Sequence, residues 1–264
     1  MSSYTPQQIL PNEFLIDHLQ YADTRKDLGT QGGKIMSISY NDQPLMLETT
    51  QLHVPYGADD NSKFTDSGAP KKYTVSVSFK DHQTMPKIAS LMNVLHEIDN
   101  WAVQIGVQNS VAWFKRQCNE EVVTALYTNS IKQSRDPETG VIIDKYPPTL
   151  NLKIPVYNNK VSIPVMDTKK ELITVEEQDI LTWIPKGSTI KSIIKCNGVW
   201  FAGGKFGISW KLYTAQVCPP NKLNNTCYFK DNEDVINENT TETETNKISE
   251  KFCDSDSDEI INYT

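Results

Sequence analysis

The fold of this chain is decided by residues 190–217, which read IKSIIKCNGVWFAGGKFGISWKLYTAQV. From Lys205 onward, large apolar residues alternate with polar or small ones, which is the period-2 pattern of a strand buried on one face only. One face carries an apolar set that we assign to the core, namely Phe206, Ile208, Trp210 and Leu212. The opposite face carries a polar set, namely Lys205, Ser209, Lys211 and Tyr213.

Upstream of this strand, Asn197-Gly198 separates two apolar runs, which is the strongest short-range signal of a two-residue β-hairpin. A turn at that point would place Lys195 opposite Trp200. Because side chains alternate between the two faces of a sheet, we expect Lys191 to share a face with this pair. Gly203-Gly204 is then a sharp bend that leads into the final strand.

The remainder of the domain mixes short strand patterns with helical ones. Strand patterns occur at residues 34–40, 45–54, 73–80, 150–156 and 161–165. Apolar residues with helical spacing occur at residues 88–98 and 119–131. Short strands in hairpins, with helices between them, are typical of a closed or partly closed barrel or of a sandwich. We therefore predict a mainly β fold with inserted helices (α+β).

Charge divides the chain into a cationic, aromatic segment and an acidic tail. Residues 180–230 contain seven lysines and eight aromatic residues but no Asp or Glu. Residues 219–264 contain four lysines and eleven acidic residues, a net charge of −7 that equals the net charge of the whole chain. We predict an N-terminal arm or edge element over residues 1–32, a domain over residues 33–218 and a disordered acidic tail over residues 219–264.

Several classes of protein are disfavoured. The sequence contains no phosphate-binding loop, no G-x-S-x-G and no HExxH motif. Its five cysteines are widely spaced without a CxxC pair, which favours free thiols in a reducing compartment. The N-terminus lacks the pattern of a signal peptide, and no apolar run approaches the length of a membrane span. We expect an intracellular, non-secreted protein that is not an enzyme, with no membrane contact, cofactor or metal.

The combination of lysines with aromatic residues is suited to single-stranded nucleic acid. Cationic side chains neutralise phosphates, and exposed aromatic rings stack on unpaired bases. The candidate phosphate contacts are Lys191, Lys195, Lys205, Lys211, Lys115 and Arg116. The candidate stacking residues are Trp200, Tyr213, Trp113 and Trp101. A structural interpretation stays open, in which the aromatics belong to the core and the lysines protect solvent-facing strands.

The segment GVWFAGGKFGISWKL, residues 198–212, resembles a strand pair of a family of single-stranded DNA-binding proteins from nucleocytoplasmic large DNA viruses. GKIMSISY, residues 33–40, and the strand at residues 72–80 resemble the same family. The resemblance covers residues 25–218. It implies an OB-like β-barrel core, followed by an acidic tail, that coats single strands during viral replication.

The sequence therefore predicts a sequence-independent single-stranded DNA-binding protein of viral DNA replication, recombination or repair, acting in the host cytoplasm (the viral factory) or the nucleus. The tail is expected to compete with DNA for the cationic face and to recruit replication proteins. The alternative is a virion or scaffold protein whose aromatic sheet face packs on a protein partner. The choice between DNA and RNA stays open, as does assembly into a homo-oligomer.

Overall fold

Strands dominate the part of the chain that this computed structural model describes, which is residues 8–27, 33–61, 71–143 and 145–220. In chain order the strands are β1 (Leu19–Asp27), β2 (Lys34–Tyr40), β3 (Gln43–Pro44), β4 (Met46–Glu48), β5 (Leu52–His53), β6 (Ala58–Asp60), β7 (Tyr73–Ser78), β8 (Tyr127–Thr128), β9 (Ile131–Lys132), β10 (Thr149–Ile154), β11 (Val156–Tyr157), β12 (Lys160–Val161), β13 (Val165–Met166), β14 (Leu172–Ile173), β15 (Thr189–Ala202) and β16 (Lys205–Cys218). The helices are α1 (Pro86–Gln108), α2 (Ser110–Phe114), α3 (Glu120–Leu126) and α4 (Ile180–Trp183). The prediction of a mainly β fold with inserted helices is confirmed.

Five of these strands close into a ring. Strand β5 pairs with β7, β7 with β10, β10 with β16, β16 with β15, and β15 with β5 again. Four of the pairings are antiparallel, and the pairing of β10 with β16 is parallel. Because every strand of the ring has a neighbour on both sides, the closure leaves no free edge within it.

The interior of the ring is filled by side chains from facing positions. Leu152 is paired with Val75 on one side and with Trp210 on the other, and Trp210 is paired with Cys196. All four side chains are buried. Since successive residues of a strand point to opposite faces, the residues next to these four must point outward.

The predicted hairpin turn at Asn197-Gly198 is wrong. Strand β15 continues through both residues, and the turn falls at Gly203 and Gly204, whose φ angles are 57° and 76°. The register shifts between Cys196 and Gly198, which marks a β-bulge. A Cβ at Gly198 would lie 2.3 Å from the carbonyl oxygen of Met36, so the glycine lets β2 approach β15.

Helix α1 packs against strand β16 of the hairpin formed by β15 and β16. The buried stripe of α1 includes Ile88, Leu91, Leu95 and Ile98, as predicted for residues 88–98. At Gly106 the helix comes close to Phe206, because a Cβ there would lie 3.0 Å from its ring. The helical pattern at residues 119–131 corresponds to the shorter helix α3, which begins after the capping side chain of Asn119.

The N-terminal part of the chain lies along the sheet. Strand β1 occupies the end of the strand order, next to β2. Ile9 bridges to Leu47 and is buried, as are Phe14 and Leu19. The predicted acidic tail lies outside the described residues apart from Pro219 and Pro220. No helix among the described residues is long and apolar enough to cross a membrane.

Candidate nucleic-acid interface

A row of lysines crosses the outside of the ring. Lys153 on β10 is the register partner of Lys211 on β16, and Lys211 is the partner of Lys195 on β15. Lys72 precedes β7, the neighbour of β10 on the other side. We call Lys72, Lys153, Lys211 and Lys195 the lysine row. Within the described residues none of the four forms an ion pair.

The lysines of the row repel each other. Partial desolvation lowers the pKa of Lys153, and the charges of Lys72 and Lys211 lower it further. Partial desolvation also lowers the pKa of Lys211, with a smaller effect from Lys195. Like charges placed side by side on a sheet reduce the stability of the fold. A row of this kind gains free energy when an anion lies across it.

Trp200 lies on the same outer surface. Its register partner on β16 is Gly207, two positions from Ser209 and four from Lys211 along the strand. The indole packs against this glycine, since a Cβ at position 207 would lie 3.1 Å from the ring atom Cζ2. Trp200 is half-buried, so part of the indole remains accessible. The arrangement also has a structural role, because an aromatic ring shields the backbone of a glycine on the neighbouring strand.

Two grooves adjoin the lysine row. The first, of about 350 Å³, is lined by Lys195 and Lys211 together with residues of β2 and β3 and by Asp42. The second, which we call the Trp200 groove, has a volume of about 310 Å³. It is lined by Trp200 and Lys153, by Lys132 on β9, by uncharged residues of β8, β10 and β16, and by Asn129 and Ser130 between β8 and β9. No carboxylate of the described residues lines the Trp200 groove.

The floor of the Trp200 groove is held by a buried carboxylate. Asp99 on α1 accepts hydrogen bonds from the Tyr127 hydroxyl at 2.6 Å, the Ser130 hydroxyl at 2.6 Å and the Ser130 backbone N–H at 2.9 Å. The Ser130 hydroxyl in turn accepts a hydrogen bond from Trp210 Nε1 at 3.1 Å. Burial raises the pKa of Asp99, while its hydrogen bonds oppose the shift. The network connects the helix to two residues that line the groove.

Three other residues predicted from the sequence lie on β15 and β16. The Lys191 ammonium is 2.8 Å from Glu48, so a carboxylate already neutralises it. Lys205 is exposed beside the hairpin turn and is paired with Ala202. A further register shift lies between Ile193 and Ile194 of β15. Tyr213 is half-buried at this shift, where it has no partner on β15.

The predicted residues on helices lie apart from the lysine row. Trp113 packs against Phe201 and Phe206, at 5.0 and 5.8 Å between ring centroids. Phe201 follows Trp200 in the strand and therefore belongs to the other face of the sheet. Trp101 is half-buried on α1 against Tyr21, with ring centroids 6.1 Å apart. Lys115 and Arg116 are exposed directly after α2.

Sequence reasoning missed part of this surface. Lys72, Lys132 and Lys153 were not among the predicted contacts. A signal for Lys153 was present, since it occupies a polar position between Leu152 and Ile154 in a strand of alternating pattern. What the pattern could not show is that β10 lies parallel to β16, which places Lys153 beside Lys211.

The fold and the site define a mainly β protein that carries a cationic outer surface with an accessible indole. The chain belongs to DUF5871, a family of unknown function, which matches residues 75–232. No curated protein sequence matches the chain.

Solved structures with some similarity come from bacteriophages. The C-terminally truncated single-stranded DNA-binding protein of bacteriophage Enc34 is 13% identical, with a TM-score of 0.40 over 79% of this chain and 99% of that chain. The Enc34 protein in complex with ssDNA is 12% identical, with a TM-score of 0.38 over 76% and 98% of the two chains. The gp2.5 single-stranded DNA-binding protein of bacteriophage T7 is 12% identical, with a TM-score of 0.40 over 74% and 98%. Identities this low transfer no residue role.

Proposed function

We propose that this chain is a non-enzymatic, sequence-independent single-stranded DNA-binding protein whose lysine row contacts the phosphate backbone. The observation that carries the proposal is the side-by-side placement of Lys153, Lys211 and Lys195 without acidic partners in the described residues. Neighbouring strands lie about 4.8 Å apart, so the three lysines extend from adjacent positions on the sheet and together form a cationic track. Phosphates laid along it would release counterions and relieve the repulsion between the lysines.

The proposal of a single strand rather than a duplex depends on Trp200. An indole stacks on a base only when that base is unpaired and turned toward the protein, and each such contact is worth about 1–3 kcal/mol. Trp200 and Lys153 line the same groove, and Lys153 belongs to the row. A strand whose phosphates follow the row can therefore turn a base toward the indole. Duplex DNA would present only phosphates to this surface.

We further infer that the ring is an OB-type barrel. Its strands follow one another in the order β5, β7, β10, β16 and β15, and the parallel pairing is the one between β10 and β16. In OB-folds, nucleic acid binds across the second and third strands and the loops beside them. Strands β7 and β10 hold those positions here, and the lysine row includes Lys153 on β10 and Lys72, which directly precedes β7. This agreement supports the proposed path of the DNA.

The wider role is part of the same proposal. The resemblance of residues 198–212 to viral single-stranded DNA-binding proteins supports a function in replication, recombination or repair of a large DNA virus. The place of action would be the viral factory in the cytoplasm or the nucleus. We propose that residues 219–264, with their net charge of −7, compete with DNA for the cationic surface and recruit replication proteins.

The test is a fluorescence anisotropy titration of the full chain with oligo-dT and with a duplex of equal length, over a range of salt concentrations. We expect preference for the single strand and an affinity that falls steeply with salt. The double variant Lys153→Met/Lys211→Met should bind more weakly, and the slope of log affinity against log salt should be smaller by about 1.4. As a matched control, Lys160→Met removes a lysine that is ion-paired with Glu176, and should bind as the wild type does. Absence of salt-sensitive binding, repeated without residues 219–264, would favour the structural-protein alternative.

A further inference from the structure

The Trp200 groove contains a polar atom that nothing in the described structure satisfies. Ser209 is only 6% exposed, it lines this groove, and its Oγ has no hydrogen-bond partner among the described residues. A buried hydroxyl left without a hydrogen-bond partner destabilises the fold. Such a group in a groove indicates that a ligand, or water in its place, completes the hydrogen bonding.

Ser209 is accompanied by other uncommitted polar groups. Asn151 and Ser209 immediately precede Leu152 and Trp210, which are register partners with buried side chains. Strand alternation therefore places both polar residues on the outer surface, and both line the groove with Asn129. In contrast, the Ser130 hydroxyl in the floor donates a hydrogen bond to Asp99 and accepts one from Trp210 Nε1. The polar groups of the floor are thus already hydrogen-bonded, while the side-chain amides of Asn129 and Asn151 and the Ser209 hydroxyl are available to bind a ligand.

The donors around the groove select among ligands. Lys132 and Lys153 line it and can only donate hydrogen bonds, while the Ser209 hydroxyl and the amides can donate or accept. A volume of about 310 Å³ is at the small end of the range for ligand sites, about 300–1,000 Å³. The half-buried indole of Trp200 forms one wall, which suits a flat aromatic ligand.

We propose that the Trp200 groove holds one unstacked nucleobase and favours a base with a carbonyl oxygen, which Ser209, Asn151 and the lysines bind. This inference rests on the proposed function and deepens it. Thymine, cytosine and guanine each carry a carbonyl oxygen, whereas adenine carries none. The protein thus binds any single strand through its phosphates, and the Trp200 groove binds certain bases more tightly than others.

The experiment uses labelled strands of one length that are built from abasic nucleotides. One strand carries no base, a second carries a single central thymine, and a third carries a single central adenine. Because no base has a neighbouring base, stacking between bases is removed. For the full wild-type chain at low salt, we expect the central thymine to raise the affinity about tenfold over the abasic strand. The central adenine should raise the affinity less, and the difference between the two bases should correspond to one or two hydrogen bonds. The measured quantity is the ratio of the affinities for the thymine and adenine strands.

Two variants locate the effect. Ser209→Val replaces the hydroxyl with methyl groups, and Asn151→Ala removes the amide at a half-buried position. Both should bring the thymine-to-adenine ratio close to one. Ser162→Val, an exposed position that lines neither groove, makes the same chemical change as a control and should retain the ratio.

The outcomes separate this inference from the function on which it rests. If thymine and adenine raise the affinity equally, the base only stacks on Trp200, and the proposed preference for a carbonyl oxygen is wrong. A thymine preference that survives both variants would also overturn it. If the abasic strand fails to bind in a salt-sensitive manner, the lysine row is not a phosphate track, and the proposed function itself is wrong.

Discussion

Lys153 and Lys211 face each other across the parallel strands β10 and β16, and neither is ion-paired within the described part of the chain. Two cations held this close, with lowered pKa values, weaken the free protein. Their placement makes sense when a polyanion is the partner. The proposed binding of a polyanion therefore favours this pair, whereas the stability of the free protein disfavours it.

This opposition predicts the behaviour of Lys153→Met and Lys211→Met. Each change should reduce the slope of log affinity against log salt by about 0.7, equivalent to about fivefold weaker binding near 0.1 M salt. Each should leave the melting temperature unchanged or raise it, because a repulsive charge is removed. Lys191→Met is the control, since Glu48 already neutralises Lys191. A lower melting temperature with unchanged salt slope would show that the pair has a structural role instead.

DNA binding should also depend on pH through the same two lysines. Their pKa values are lowered in the free protein, and a bound phosphate raises them again, so binding takes up protons. The affinity should therefore fall as the pH rises toward the ordinary lysine pKa of about 10.4. Calorimetry in two buffers of different ionisation heat measures the proton uptake directly. Lys153→Met/Lys211→Met should abolish it, and proton release by the wild type would contradict the prediction.

Gly198→Ala should destabilise the fold severely. The added Cβ would lie 2.3 Å from the Met36 carbonyl oxygen, and φ at this position is 111°. Backbone must move to relieve the clash, so we expect a loss of more than about 3 kcal/mol in the free energy of unfolding by denaturant. Gly203→Ala is the comparison, because its Cβ would meet nothing within 4 Å and only the left-handed φ of 57° is strained. It should cost about 1 kcal/mol. Equal losses would refute the steric account.

Asp99→Asn tests the buried carboxylate. The amide nitrogen cannot accept the hydrogen bonds that Asp99 takes from Tyr127 and Ser130, so we expect a loss of about 1–3 kcal/mol. Burial raises the pKa of Asp99 in the folded state. Its contribution is therefore complete below the ordinary carboxyl pKa of about 3.9 and declines as the pH rises through the folded-state pKa.

Urea denaturation of wild type and Asp99→Asn across this pH range measures the contribution. The difference in unfolding free energy should be largest in acid and narrow toward neutral pH. Asp136→Asn provides a control of opposite sign, because hydrogen bonds from Thr139 lower the pKa of Asp136. For that variant the difference should grow as the pH rises. A difference for Asp99→Asn that grows in the same way would contradict the assignment.

Removal of residues 219–264 should strengthen DNA binding at low salt. The segment carries a net charge of −7 on a covalent tether, so its local concentration near the lysine row is high. The gain should shrink at high salt, where screening weakens the competition. A chain of the same length with the acidic residues of this segment changed to Asn and Gln separates charge from bulk. Unchanged affinity at low salt would exclude competition.

The local sequence pattern was sufficient to predict some structural elements and insufficient to predict others. The alternation from Phe206 to Leu212 correctly predicted a buried face, and the spacing in α1 predicted its buried stripe, since both depend on neighbours within one element. The turn at Asn197-Gly198 was predicted wrongly because the requirement for glycine arises from Met36, far away in the sequence. Lys153 was missed as a contact for the same reason, since its importance comes from the parallel strand β16.

The ring of strands described above is completed by the last two strands of the domain, and this has a consequence for synthesis. Strands β5, β7 and β10 are made early, but β5 finds its second neighbour only in β15. Strand β9 pairs with the start of β10, at Thr149 and Leu150, while Leu152 and Lys153 of β10 are paired on that side only by β16. Such long-range pairings are slow to form, on the order of milliseconds to seconds. We expect the growing chain to leave the ribosome with unpaired strand edges, which promote aggregation. A chain cut short before Cys218 should therefore accumulate as insoluble material instead of a weaker DNA-binding protein.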